Sequence, residues 1–195
     1  MASTTSEDII EAALSSFAIG GYDGTTLAQI AGIVGIQKPS LYNHFSGKKE
    51  LFLTVAEKVM KEVHEVMTDS FEKNQDKNIE RRLYLVLADS TTFIFQKHKG
   101  MMYRRLLLFP PGELEEGLRA LVQKGDQQID ELLQGFYEQG KKEEVISNLK
   151  FSVFRAAFYC LMDGLFTERF IYGEKEFKER FEGSWTVFWQ GISAQ

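Results

Sequence analysis

From Thr25 to Phe52 the apolar positions fall into short runs set apart by glycine. Leu27, Ile30, Ala31 and Val34 stand at i, i+3, i+4 and i+7, the spacing of one buried helical face. Thr26 is placed to cap that helix. The helix should stop at Gly35, because glycine enters the left-handed conformation at a helix end without steric cost. A second short helix follows, with Pro39 tolerated in its first turn, where a missing N–H would have no intrahelical partner. Leu41 and Phe45 make its core face, and Ile36 fills the angle between the two helices. Upstream, Ile10, Ala13, Leu14 and Phe17 give a lead-in helix its apolar face. Downstream, Leu51, Val55, Val59, Val63 and Val66 or Met67 carry a long helix from about 48 to 73. Asn74 to Asn78 interrupts the pattern. Helical periodicity then returns over about 79–98, 101–109, 113–139, 147–171 and 174–192, with Pro110-Pro111-Gly112 as the strongest punctuation. No strand-like alternation competes, so the expected fold is all-α with about nine helices, without repeats.

The polar face of the second short helix carries Gln37, Ser40, Asn43 and His44, flanked by Lys38 and Tyr42, with no acid among them. Two helices at an angle, the second presenting donors, make the layout of a helix-turn-helix, whose reading helix enters the major groove. A formal net charge of −5 argues against nucleic acid at first. Its distribution weakens the objection: from Gly24 to Lys49 there is no Asp or Glu, while Lys38, Lys48 and Lys49 all lie there. A dimer offering about four to six such lysines should show a salt slope of about −4 to −5.

The segment resembles the DNA-binding end of the tetracycline-repressor (TetR) family of bacterial transcription regulators. The resemblance covers about residues 6–55 and rests on the Gly20-Gly21-Tyr22 break, the Thr25-Thr26 start, LYNHF and GKKELF. It implies an N-terminal DNA-binding domain over 1–50, a connecting helix over about 48–73, and a ligand-binding and dimerisation domain over 51–195. It assigns Thr26, Tyr42 and Lys48 to phosphates, and Lys38, Pro39, Ser40, Asn43 and His44 to groove contacts. Two positions depart from the family pattern. Gln37 stands where a serine or threonine often caps the reading helix, so either it contacts DNA or the cap is weak. Gly47 occupies the usual cap of the next helix, a loss of only a few tenths of a kcal/mol.

The stretch from Asn148 to Tyr172 is apolar on more than one side, with Phe154, Phe158, Leu161 and Leu165 in one stripe and Ala156, Ala157, Cys160 and Gly164 in another. A helix apolar all round is buried all round. The last helix adds Phe177, Phe181, Trp185, Phe188, Trp189 and Ile192, too much aromatic area to leave wet. Ala157, Leu161, Gly164, Phe181, Trp185 and Phe188 are therefore the expected contacts of a two-fold four-helix homodimer interface. A monomeric core filled by the same aromatics is the plainer alternative. The resemblance also implies pairing through the last two long helices.

Aromatic residues make up 13% of the chain. Some should line an apolar small-molecule cavity, with Phe93, Tyr103, Phe136, Phe158 and Tyr159 as candidates beside Phe109 and Tyr137. Asp163, or Asp89, Gln96 or Arg104, would serve as a polar anchor. Ordinary core packing competes at each. The single cysteine, Cys160, allows no internal disulfide and is expected to pack as a small core residue. The three histidines, His44, His64 and His98, show no metal-ligand spacing, and neither a di-iron Glu-x-x-His, a nucleophile elbow nor a phosphate-binding loop occurs. No catalytic residue, metal or cofactor is expected. The polar, acidic start is unlike a signal peptide, and the longest apolar run is broken by Arg155 and Asp163, so no membrane association and a cytosolic location are expected.

The expected function is thus a ligand-responsive regulator, a repressor by family resemblance. It would bind a palindromic double-stranded operator as a homodimer and be released by a small hydrophobic or aromatic effector. The alternatives are a DNA-binding dimer without such an effector, or a helical-bundle enzyme or carrier.

Overall fold

A computed structural model describes residues 5–194. Nine α-helices occur among them: α1 (Ser6–Gly20), α2 (Leu27–Ile33), α3 (Lys38–Leu41), α4 (Lys48–Lys73), α5 (Ile79–Ile94), α6 (Lys97–Leu108), α7 (Glu115–Lys142), α8 (Phe151–Ile171) and α9 (Glu174–Ile192). The described residues form no strand, only an isolated bridge between Ile146 and Ser193. The all-α expectation holds.

The chain packs as two compact units. One contains the residues up to Glu62 together with Gln96–Gly125; the other contains Val63–Phe95 and Asp126 onwards.

In the first unit, capping boxes start the helices. Thr5 accepts from the Asp8 amide and Asp8 accepts from the Thr5 amide, while Thr26 and Gln29 repeat the exchange at α2. Phe17, Tyr22 and Phe52 form an aromatic centre, with Phe52 edge-on to Phe17 at 4.9 Å and to Tyr22 at 5.1 Å. Helix α6 packs against α1. The Arg105 guanidinium donates to the carbonyls of Ala18 at 2.7 Å and Ile19 at 2.8 Å, satisfying the C-terminal end of α1. At the other end of the same seam Lys58 reaches Glu7, Glu11 and Glu62, and Lys99 reaches Glu62 at 2.9 Å. Its hydrogen bond to Glu7 leads in holding the Lys58 ammonium above the usual lysine range.

The second unit buries Phe136, Phe154 and Phe158 completely. Arg82 is 5% exposed, its guanidinium 4.1 Å from the Phe71 ring centroid and 5.7 Å from that of Phe136. It donates to Gln139 at 2.8 Å and to the Phe71 carbonyl at 3.3 Å. Burial lowers its pKa, partly offset by the charge of Glu143.

Three expectations change. The helix predicted over 79–98 ends at Ile94, and the next, predicted over 101–109, begins at Lys97 and holds Gly100 buried inside it. A glycine between two periodic stretches reads as punctuation, whereas here it lies in a helix that packs closely on α1. The helix predicted from 147 begins only at Phe151, because the preceding backbone is engaged elsewhere: Ser147 donates to the Ile192 carbonyl, and Tyr137 Oη donates to Leu149. Cys160 is exposed rather than part of the core. It shares a face of α8 with Ala156 and Gly164, opposite the buried Phe154, Phe158 and Leu165.

Candidate nucleic-acid interface

The reading helix is held by what lies beneath it. Ile30, Ala31 and Leu41 have no exposure and Phe45 has 6%, so the facing sides of α2 and α3 are sealed. Ile36 and Val34 are half-buried in the turn. Gly35 takes φ +74°, the left-handed region in which a Cβ is strained, and the chain reverses there. Helix α3 itself is a single turn, extended by a string of turns through Phe45.

On the outer side Gln37, Lys38, Pro39, Tyr42, Asn43 and His44 are exposed and Ser40 is half-buried. Gln37 makes no side-chain cap, which leaves its amide available outward. Tyr42 is 49% exposed, so its ring and hydroxyl stand open beside Asn43 and His44. The His44 imidazole is oriented by a 2.9 Å hydrogen bond between its Nδ1 and Ser6 Oγ, which ties the start of α1 to the end of the reading segment. No local pattern signals that contact, which joins positions 38 residues apart.

Two candidates do double duty. Thr26 both caps α2 and bonds Gln29 through its hydroxyl. Lys48 turns its ammonium inward, 3.0 Å from the Tyr22 carbonyl and 4.2 Å from the Tyr22 ring centroid. The missing cap at Gly47 is supplied by its neighbours, since the Ser46 amide and hydroxyl both donate to Glu50 at 2.6 Å. These bonds hold the Glu50 carboxyl below its ordinary range.

Burial pushes the Tyr22 phenol up to about 12, helped by its hydrogen bond to Glu113. A folded-state value above the unfolded one, about 10, means that the neutral phenol stabilises the fold fully below pH 10. That contribution is lost as pH rises from 10 through 12. Ultraviolet titration should find a tyrosinate step near pH 12 that Tyr22→Phe removes; a Tyr22 titrating near 10 would contradict the burial.

The other candidate residues are placed as follows. Phe136 packs edge-on to Phe71 at 4.7 Å, and Phe158 meets Phe188 at 6.1 Å. Phe93 and Tyr103 are also buried, and the Tyr159 hydroxyl donates to the Asp126 carbonyl at 3.0 Å. Asp163 is exposed, and its carboxyl is raised first by desolvation and then by the charge of Asp126. None of these six lines a described cavity. The second unit holds cavities of about 410 Å³, between Arg81, Tyr84, Glu182 and Trp185, and about 220 Å³, beside Thr91, Arg169 and Phe177.

Of the residues expected at a dimer interface, Phe181, Trp185 and Phe188 are at most 9% exposed and turn inward, towards Tyr84 and Phe154. Ala157 and Leu161 are half-buried and Gly164 is exposed. Among the exposed residues of α8 are Val153, Ala156, Cys160 and Gly164, and among those of α9 are Gly183, Val187 and Gly191, with Val187 72% exposed.

Among the described residues no three or more His, Cys, Asp or Glu gather as a metal site. No described helix is long and apolar enough to cross a membrane.

The geometry agrees with comparisons to known proteins. Residues 9–55 match the model of the bacterial regulatory proteins of the tetR family. The chain is 30% identical over 137 residues to the biofilm operon icaADBC HTH-type negative transcriptional regulator IcaR of Staphylococcus aureus, covering 69% of this chain and 70% of IcaR. The fold is shared with FadR of Bacillus subtilis, solved with stearoyl-CoA, at TM-score 0.77 and 19% identity over 96% of this chain and all of that one. It is shared too with the ketosteroid regulator KstR2 of Mycobacterium tuberculosis, at TM-score 0.72 and 17% identity over 100% and 98% of the two chains. The chain belongs to the TetR family of bacterial regulatory proteins and is a helix-turn-helix transcriptional regulator.

Proposed function

We propose that this regulator is a repressor that binds a palindromic operator as a homodimer and leaves it when a small apolar effector binds its larger C-terminal region, residues 51–195. The observation that carries the reading is the outer side of α3: exposed, free of acids, and set on a sealed two-helix base. Lys38, Pro39, Ser40, Asn43 and His44 would face base edges, with Gln37 beside them; Thr26, Tyr42 and Lys48 would hold phosphates. One such helix reads few base pairs, so two half-sites call for two chains. The small outward residues of α8 and α9 would let two copies approach closely. IcaR, named a negative regulator, supports repression.

An effector acts by preferring the conformer whose reading heads are mis-spaced. FadR with stearoyl-CoA and the ketosteroid regulator KstR2 support an apolar ligand. The dense packing of Phe136 and Phe158 favours a second reading, a DNA-binding dimer with no small-molecule effector. Thermal-shift screening separates the two.

Fluorescence anisotropy with the chain's own promoter region tests the central claim. Binding should weaken with salt at a slope of about −4 to −5. Lys38→Ala and Tyr42→Ala should each weaken it about tenfold, on the order of 1–2 kcal/mol per lost contact, with unchanged thermal unfolding. Salt-insensitive or absent binding would sink the proposal.

A further inference from the structure

The first unit contains a cavity of about 670 Å³ at the start of α4, lined among others by Tyr22, Lys48, Lys49, Leu53, Gly117 and Leu121. That is the volume of a site for a small organic ligand. Its walls are of two kinds. Leu53 and Leu121 are half-buried and present apolar surface, and Gly117 leaves the α7 side open, since a Cβ there would make only ordinary contact with Leu53 at 3.7 Å.

The polar rim carries two lysines, Lys48 and Lys49, and two acids, Glu50 and Glu57. Both acids stay charged and have other partners: Glu50 accepts from Ser46, and Glu57 lies 4.0 Å from Lys124. Lys48 has only a carbonyl and a ring as partners, neither of which cancels its charge, and Lys49 is exposed. Among the described residues neither lysine pairs with a carboxylate. A ligand that fits carries one negative group and an apolar chain.

We propose that this cavity binds an amphipathic carboxylate, its chain against Leu53, Leu121 and Gly117 and its head group on Lys48 and Lys49. The site lies within the first compact unit, the one that carries the reading helix. Resting on the assignment of Lys48 to an operator phosphate, the ligand and the operator draw on the same cation and exclude one another. Release by this route is competition, which needs no change in the spacing of the reading heads.

The test uses the full chain and sodium octanoate, with sodium acetate and 1-octanol as probes of charge alone and chain alone. Calorimetry should give saturable binding of one octanoate per chain and little of either control. Gly117→Trp, which fills the open wall, and Leu121→Asp, which sets an acid on it, should each weaken octanoate binding at least tenfold. Circular dichroism confirms that each variant is folded, and either alone suffices if the other is not. Octanoate should also raise the apparent operator Kd in proportion to its concentration, and Gly117→Trp should bind the operator normally but ignore octanoate.

No octanoate binding, equal binding of 1-octanol, or binding untouched by the substitutions would overturn the site. If the wild-type chain failed to bind operator at all, the function proposed above would fall, while calorimetry would still decide the cavity.

Discussion

Gly164→Arg is expected to make the regulator monomeric in solution and to lower its operator affinity by about 10²–10⁴-fold, the gain normally supplied by linking two binding modules. The position is chosen because a Cβ there meets nothing within 4 Å, so the new side chain disturbs no packing within the chain. Arginine is also a better helix former than glycine. The charge would therefore act on a second copy alone, planted in the stripe of Ala156, Cys160 and Gly164 that α8 turns outward. Light scattering after gel filtration reads the mass, and anisotropy on the promoter reads the affinity. A variant that stays dimeric with wild-type affinity would remove α8 from the interface. Trp185→Ala makes the useful contrast. That ring is 6% exposed and packs edge-on to Tyr84 at 5.4 Å, so its loss should lower stability first and dimerisation only as a consequence.

Gly24→Ala should be among the most damaging single-methyl changes in the reading unit. A Cβ at position 24 would overlap the carbonyl oxygen of Gly20, a main-chain atom that cannot yield without unwinding the last turn of α1. Overpacking of this kind costs about 3 kcal/mol, a fall of about 6–12 °C in Tm for a chain of this size. Operator binding should fall as well, because the turn at Gly24 sets where α2 begins relative to α1. Gly32→Ala is the control. Nothing lies within 4 Å of its Cβ, and α2 gains about 0.5–1 kcal/mol of helix preference. Thermal unfolding followed by circular dichroism checks both. Equal melting of the two variants would mean that the turn relaxes freely.

The reading head was legible because local rules act there without competition. Thr26 caps, Gly35 turns at φ +74°, and the apolar residues of α2 and α3 follow helical spacing down to full burial of Ile30 and Leu41. The C-terminal helices were less legible for a physical reason. Phe181, Trp185 and Phe188 repeat at helical spacing, and periodicity shows that they share a face but not whether that face meets the chain's own interior or another copy. The structure turns them inward and leaves small residues outside, a pattern that hydrophobicity alone ranks as unremarkable. The same ambiguity misplaced Cys160. Contacts between distant positions, such as Ser6 with His44 and Arg105 with Ala18, leave no trace in a local pattern.

The Arg105 fork bears on how this regulator can be cut and recombined. A chimera that borrowed only the first sixty residues would leave behind the guanidinium that closes the end of α1, along with Lys99 and the helix carrying both. The transplantable piece is discontinuous in sequence, so swapping specificity between relatives means exchanging the outer side chains of α3 on a resident scaffold rather than joining two chains at a seam.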